Sequence, residues 1–332
     1  MSTASKFFIG SLVLFTAIGS AAWMKRGKTK PSVAEAAPIE IPVAAAVPKP
    51  VVKEIKKQEA RPAPKVVEKA PLSSEELPDA NRIAQLFALD SSKLPIVETV
   101  SYTSRVPWLK GRPAWVADYS TYFETSRHSI ARSLNRKPDY FTQKVSPGDR
   151  FNVFRSDVDL AFHLLIDLSR CKMWFYYIDQ GKNERVLLKT YKVGLGRVDS
   201  SRTSGYLTPL GKYKLGDRIA IYKAGTMGTF QDQKIEMLRV FGTRWIPFGS
   251  EIEGCSEAAK GYGLHGAPWI LNPTTGQYVE DTAGLGKYDS DGCIRMAAED
   301  IEEIFSIVIT KATTVELVKD FREAKLPGIE KK

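Results

Sequence analysis

The chain has 332 residues, of which 43% are hydrophobic and 26% charged, enough to bury at least one large core and long enough for about two domains. Its formal charge is +10, yet residues 25–70 hold eleven Lys/Arg against five Asp/Glu and Lys6 adds one more, so residues 71–332 carry only +3; a nearly neutral folded part argues against nucleic acid as a partner. Three cysteines (Cys171, Cys255, Cys293) without a C-x-x-C pair, and three histidines (His128, His163, His265), exclude a disulfide scaffold and a zinc cluster.

Phe7 to Met24 is an uncharged run of eighteen residues between Lys6 and Lys25, close to the minimum for a membrane-spanning helix. Ser20 and Ala22 form a small-x-small cleavage pattern, but Trp23 and Met24 extend the apolar run past it. Residues 1–25 are therefore expected to be a membrane anchor, with a removed signal peptide as the alternative. Lys25, Arg26, Lys28 and Lys30 follow at once, and the positive-inside rule alone would keep the rest of the chain in the cytoplasm. Residues 26–78 read as a linker. Positions 31–71 contain eight Pro, nine Ala, seven Val and six Lys, with no aromatic residue and no Gly, a composition that cannot offset its ordering entropy. Wholly in polyproline II, it would span on the order of 120 Å. It is a passive spacer or, in a sharper reading, lays its basic charges on anionic lipid head groups.

Residues 79–156 read as a small α+β accessory module. Asp79 is a candidate N-cap for a short helix with Ile83, Leu86 and Phe87 on one face. Tyr119, Phe123, Ile130 and Leu134 recur at helical spacing, and a turn at Ser146-Pro147-Gly148-Asp149 leads into an alternating strand at Phe151 and Val153: a helix pair flanked by short strands. His128 is expected on a solvated helix face. Ile130 to Leu134 followed by Val145 to Phe151 resembles the second half of a LysM glycan-binding module, without that module's opening turn, and the resemblance implies glycan as a partner.

From Ala161 strands predominate. Phe162, Leu164, Ile166 and Leu168 alternate with His163, Leu165 and Asp167, and after a turn at Ser169 to Lys172 a second strand runs from Met173 to Ile178. Tyr191 to Gly196 and Thr208 to Leu215 continue the sheet. Gly194-x-Gly196 lacks the third glycine and the helix that a dinucleotide loop requires. His163, Cys171 and Cys255 read as structural residues.

The segment that carries chemistry is Gly263-Leu264-His265-Gly266, a loop of more than twenty residues, then Ser290-Asp291-Gly292-Cys293-Ile294-Arg295-Met296. A histidine brought to a cysteine satisfies the need of thiol catalysis: imidazole takes the thiol proton and sulfur attacks a carbonyl. Gly292 removes bulk beside the thiol, and the N–H groups of Gly292 and Cys293 are candidates for an oxyanion hole. On residue types alone, a buried free cysteine that merely packs is the competing reading.

His265-Gly266 and the Ser290-x-Gly292-Cys293-Ile294-Arg295-Met296 run, with Val193-Gly194-Leu195-Gly196 and Thr208-Pro209-Leu210-Gly211-Lys212-Tyr213 upstream, resemble the L,D-transpeptidase (YkuD-type) catalytic domain in order over about 160 residues. The resemblance implies a mainly β, sandwich-like catalytic domain over residues 157–322, with 323–332 as a tail. It implies peptidoglycan stem peptides as substrate. Cys293 would attack the carbonyl before a terminal D-Ala, and an amine would take the acyl group from the thioester. With water as acceptor the product is that of an L,D-carboxypeptidase; a silent wall-binding protein is the non-enzymatic alternative. It further implies His265 as base, Gly266 as the carbonyl that orients it, Ser290 as the family's Ser/Thr, and Arg295 as a family arginine that binds a stem-peptide carboxylate or ties down backbone. Activity of this kind requires the catalytic domain outside the cytoplasmic membrane, and this outweighs the flanking charge.

Two departures from the family pattern stand out. Asp291 occupies the place of a usual second histidine; a carboxylate beside the thiol disfavours the thiolate, unless Asp291 accepts a hydrogen bond from His265 as a triad member would. The long loop holds Trp269, Tyr278 and Tyr288, read either as a lid in which Trp269 and Tyr288 wall the donor peptide or as a packed surface excursion. Asp289 to Gly292 imitates a calcium loop, but Lys287 and Ala298 stand at the first and twelfth positions, so neither metal nor cofactor is expected.

Overall fold

The structure is a computed structural model and describes residues 71–331 apart from 74, 138–139 and 141–143. The expected anchor at Phe7–Met24 and nearly all of the proline-rich linker lie outside the described residues. Among the described residues no helix is long and apolar enough to cross a membrane.

The region before the main sheet opens with α1 (Ala84–Phe87). Its apolar residues Ile83 and Leu86 are buried as the spacing predicts. The helix begins after Ile83 and not at Asp79, whose carboxylate instead accepts the Ala80 N–H at 2.9 Å and the Thr190 hydroxyl. Next come β1 (Val97–Ser101), α2 (Val116–Tyr122), α3 (Arg127–Asn135) and β2 (Arg150–Phe154). β1 and β2 pair antiparallel, from Val97 opposite Phe154 to Ser101 opposite Arg150. This is the expected helix pair between short strands. Ser126 caps α3 by accepting the Ser129 N–H at 3.0 Å, and the turn before β2 closes with the Asp149 N–H on the Ser146 carbonyl, Gly148 having φ +94°. Tyr119, Ile130, Phe151 and Val153 form a small core of their own. His128 departs from expectation: it is buried, its ring edge-on to Phe305 at 5.5 Å, because the helix face that carries it packs against the catalytic region and not against water.

The remainder is mainly β: β3 (Leu160–Asp167), β4 (Lys172–Asp179), β5 (Glu184–Lys192), β6 (Leu195–Gly196), β7 (Gly211–Leu215), β8 (Ala220–Ile221), β9 (Met227–Phe230), β10 (Gln233–Glu236), α4 (Leu238–Phe241), β11 (Arg244–Glu253), β12 (Gly263–Gly266), β13 (Trp269–Leu271), β14 (Tyr278–Glu280), β15 (Tyr288–Ser290), β16 (Ile294–Met296), α5 (Ala298–Val308), β17 (Thr313–Val318) and β18 (Ile329–Glu330). Ten strands form one sheet in the order β16-β12-β11-β7-β17-β3-β4-β5-β18, with β8 also on β11. β3 and β4 are buried on both faces, which explains their nearly continuous apolar sequence.

The sheet curls at β11. Residues Arg244 to Pro247 pair with β8 and β12, whereas Phe248 to Glu253 pair with β7 through two register shifts. The bend needs close backbones: a Cβ on Gly249 would lie 2.9 Å from the Gly216 Cα. The curl encloses Phe162, Phe175, Tyr213, Ile246, Leu264 and Ile294, and α5 closes it with Ile301, Ile304 and Phe305. This arrangement is consistent with the expected β-sandwich catalytic domain. Within the segment expected as a tail, residues 323–332, Leu326 packs beside Trp174 and Tyr176, and β18 pairs in parallel with Glu184 and Arg185.

Candidate active site

His265 lies on β12, whose neighbour β16 starts immediately after Cys293; the two strands are parallel, with Leu264 opposite Ile294 and His265 opposite Arg295. Short buried strands thus bring a base and a thiol from across a long loop to one sheet edge. The His265 ring is 4% exposed, and its Nδ1 lies 2.8 Å from the Gly266 carbonyl. A carbonyl only accepts, so Nδ1 carries the hydrogen and Nε2 keeps the lone pair. Burial pulls the imidazole pKa down to about 4, against the Gly266 bond that favours protonation and aided by the positive Arg295.

Cys293 is partly exposed and its thiol faces the Gly261 carbonyl at 3.5 Å. Desolvation pushes the thiol up to about 12, opposed by the Gly263 amide and Arg295 and reinforced by Asp291. The resting pair is therefore neutral thiol and neutral imidazole.

The turn holding the thiol is fixed from both sides. Ser290 accepts the Gly292 N–H on Oγ at 3.1 Å and donates to the Cys293 carbonyl at 2.7 Å. Thr208 accepts the Gly196 N–H at 2.7 Å and donates to the Gly292 carbonyl at 3.0 Å. Gly292 has φ +121°, and a Cβ there would meet the Tyr262 ring at 2.7 Å and the Leu207 carbonyl oxygen at 2.8 Å; glycine is required. The Gly292 N–H is committed to Ser290, so the expected oxyanion pair reduces to the Cys293 N–H.

Three expected roles look different in the structure. Asp291 makes no bond to His265, whose Nδ1 is held by Gly266; its carboxylate pairs with Arg197 at 2.5 Å, since the left-handed backbone at Gly292 breaks the extended geometry that would aim both side chains one way. The Arg295 guanidinium holds the Asp289 carboxylate at 2.8 Å, and it is the main chain of Arg295, not its side chain, that exchanges two hydrogen bonds with Gly194. Tyr288 turns away from the thiol: its hydroxyl reaches the Leu168 carbonyl at 2.8 Å and its ring stacks on Tyr206 at 4.7 Å. The loop that carries it is ordered into the β13–β14 hairpin, fastened by Tyr278 to Glu236 of β10. Trp269 lines a cavity of about 360 Å³ with Tyr222, Arg244, Tyr278 and Glu302, and neither Cys293 nor His265 is among its lining residues. Cys255 donates to the Lys212 carbonyl at 3.0 Å, outside the site.

Four neighbours of the site are new relative to the sequence reading. Thr208 and Tyr262 touch the nucleophile turn, and Phe241 and Trp245 wall His265 at ring distances of 5.4 and 6.1 Å. Thr208 lies within the Thr-Pro-Leu-Gly run and Tyr262 directly precedes Gly-Leu-His-Gly, so their places in the motifs were available as signals. Phe241 and Trp245 sit in a segment with no long period.

No curated protein matches the chain. Among solved structures it is similar to the helical cell shape determining protein Pgp2 from Campylobacter jejuni, at 16% identity and a TM-score of 0.32 over 52% of this chain and 51% of that one. It is also similar to Bd1075 from Bdellovibrio bacteriovorus, at 12% identity and a TM-score of 0.30 over 48% of each chain. The chain thus spans about half the length of these structures. Residues 161–317, which include His265, Cys293 and the strands that bring them together, match the family model described as the L,D-transpeptidase catalytic domain (YkuD).

Proposed function

We propose that the protein is a peptidoglycan L,D-transpeptidase, anchored by its N-terminal segment with the catalytic domain outside the cytoplasmic membrane. The observation that carries this reading is the tautomer of His265. With Nδ1–H given to Gly266, Nε2 is an acceptor for the Cys293 proton. Because the resting pair is neutral, the proton moves to Nε2 as sulfur bonds to the carbonyl carbon of the residue before the terminal D-Ala. The oxyanion receives the Cys293 N–H. Collapse breaks the C–N bond, the imidazolium returns its proton to the leaving amine, and a thioester remains. An acceptor amine then gives a proton to His265 and takes the acyl group; water in the same position yields tripeptide. The accessory module, with its resemblance to LysM, is proposed to add affinity for glycan.

The test is mass spectrometry of disaccharide-tetrapeptide incubated with the full chain, wild type beside Cys293→Ala. Cross-linked dimer lacking one D-Ala, from the wild type alone, is the expected product. Tripeptide alone reassigns the enzyme as a carboxypeptidase, and no product from folded protein removes the catalytic reading.

A further inference from the structure

Two arginines flank Cys293, and they are in different states. Arg295 is the more buried of the two: its side chain is 22% exposed and holds Asp289 through Nη1. Arg197 stands open, 59% exposed, touching Asp291, itself 60% exposed, through Nη2 alone. An ion pair this exposed contributes little to stability, so its placement one residue from the Gly292–Cys293 pair calls for another reason.

The backbone of Arg197 is anchored firmly to the nucleophile turn. Its N–H donates to the Ser290 carbonyl at 3.0 Å, and its carbonyl accepts the Leu207 N–H at 2.9 Å. Just before it, Gly196 lies against Gly292 so closely that an added Cβ would sit 2.9 Å from the Gly292 Cα. The base of the side chain is thus fixed relative to Cys293, and Asp291 restrains its tip. The contact to Asp291 takes one N–H of Nη2 in a planar group with five N–H donors, leaving one two-nitrogen edge, the second Nη2 hydrogen with Nε or with Nη1, for a bidentate partner. A carboxylate fits that edge.

We infer that Arg197 is the carboxylate receptor of this site and that Asp291 restrains that arginine instead of assisting His265. This rests on the transpeptidase reading for its substrate: the group received is the free C-terminal carboxylate of the residue that leaves, so the protein takes peptides cleaved one residue from a free C-terminus.

The experiment separates binding from turnover. The full chain carrying Cys293→Ala is titrated by calorimetry with disaccharide-tetrapeptide as the free acid and as the C-terminal amide, with and without Arg197→Gln. With Arg197 present the acid binds about ten- to a hundred-fold more tightly than the amide; with Gln the difference vanishes, and Arg197→Lys restores only part of it. Equal affinity for acid and amide, an acid preference that survives Arg197→Gln, or no binding of either peptide by folded protein overturns the assignment. Absence of product from the wild type alongside an Arg197-dependent acid preference would sink the transpeptidase reading and leave the receptor standing.

Discussion

At the scale of single residues, the site is governed by burial. The same desolvation that lifts the Cys293 thiol to about 12 lowers His265 to about 4, so proton transfer must accompany bond formation. The base is competent only when neutral, and the acid limb of kcat/KM is therefore expected near pH 4 to 5, well below an ordinary histidine near 6.5. A limb at pH 6 to 7 in the pH–rate profile would contradict the buried imidazole. Stability follows with a definite sign. Between pH 6.5 and about 4 the unfolded chain takes up a proton at residue 265 that the folded chain refuses, so stability is full above the window and is lost as pH falls through it. Denaturant unfolding at pH 7 and pH 4 should show the wild type losing about 3 kcal/mol more than His265→Gln.

At the scale of elements, the nucleophile turn depends on strands distant in sequence. The Thr208 hydroxyl satisfies a buried N–H from Gly196 at the end of β6 and a carbonyl from Gly292 just before β16. Thr208→Val keeps the shape and strands both groups, for an expected loss of about 1–3 kcal/mol in thermal or denaturant unfolding. Turnover should fall with it, and Thr208→Ser should recover both; if Val is tolerated, the bridge does not position the turn. This element-level organisation was only partly legible in the sequence. β3 and β4 were readable because continuous or periodic apolar runs announce them, and His265 and Cys293 because their motifs are compact. The span 220–253 was not: β8 to β10 have two to four residues each, and β11 serves two parts of the sheet, so no single period covers it. The partners of Asp291 and Arg295 were illegible for a different reason. The left-handed backbone at Gly292 redirects side chains, and no spacing rule anticipates which of several carboxylates an arginine meets.

At the scale of the whole molecule, the residues before the family domain are part of its core. Ile83, Leu86, Leu94, Ile96, Val97 and Phe154 share one buried cluster with Phe162, Phe175 and Phe305. The Ser126 hydroxyl donates to the Ser306 carbonyl of α5, and the Asn152 amide reaches the Leu86 and Ala88 carbonyls at 2.9 and 2.7 Å. α5 in turn packs behind β12, so the accessory region supports the strand that carries His265. Removing residues 1–156 would expose this apolar surface while leaving the entire family span in place. Each large apolar side chain uncovered costs about 1.5–3 kcal/mol, and several are uncovered at once. The truncated protein should therefore unfold at least 10 °C below one that begins at residue 71 and bind a hydrophobic dye at ambient temperature. Equal melting temperatures for the two would mean that the catalytic domain folds independently and that the module is an appended binding unit. A large gap would mean that the module and the family domain unfold as one cooperative unit, so that any glycan the module binds is held at a fixed place relative to β12 and β16.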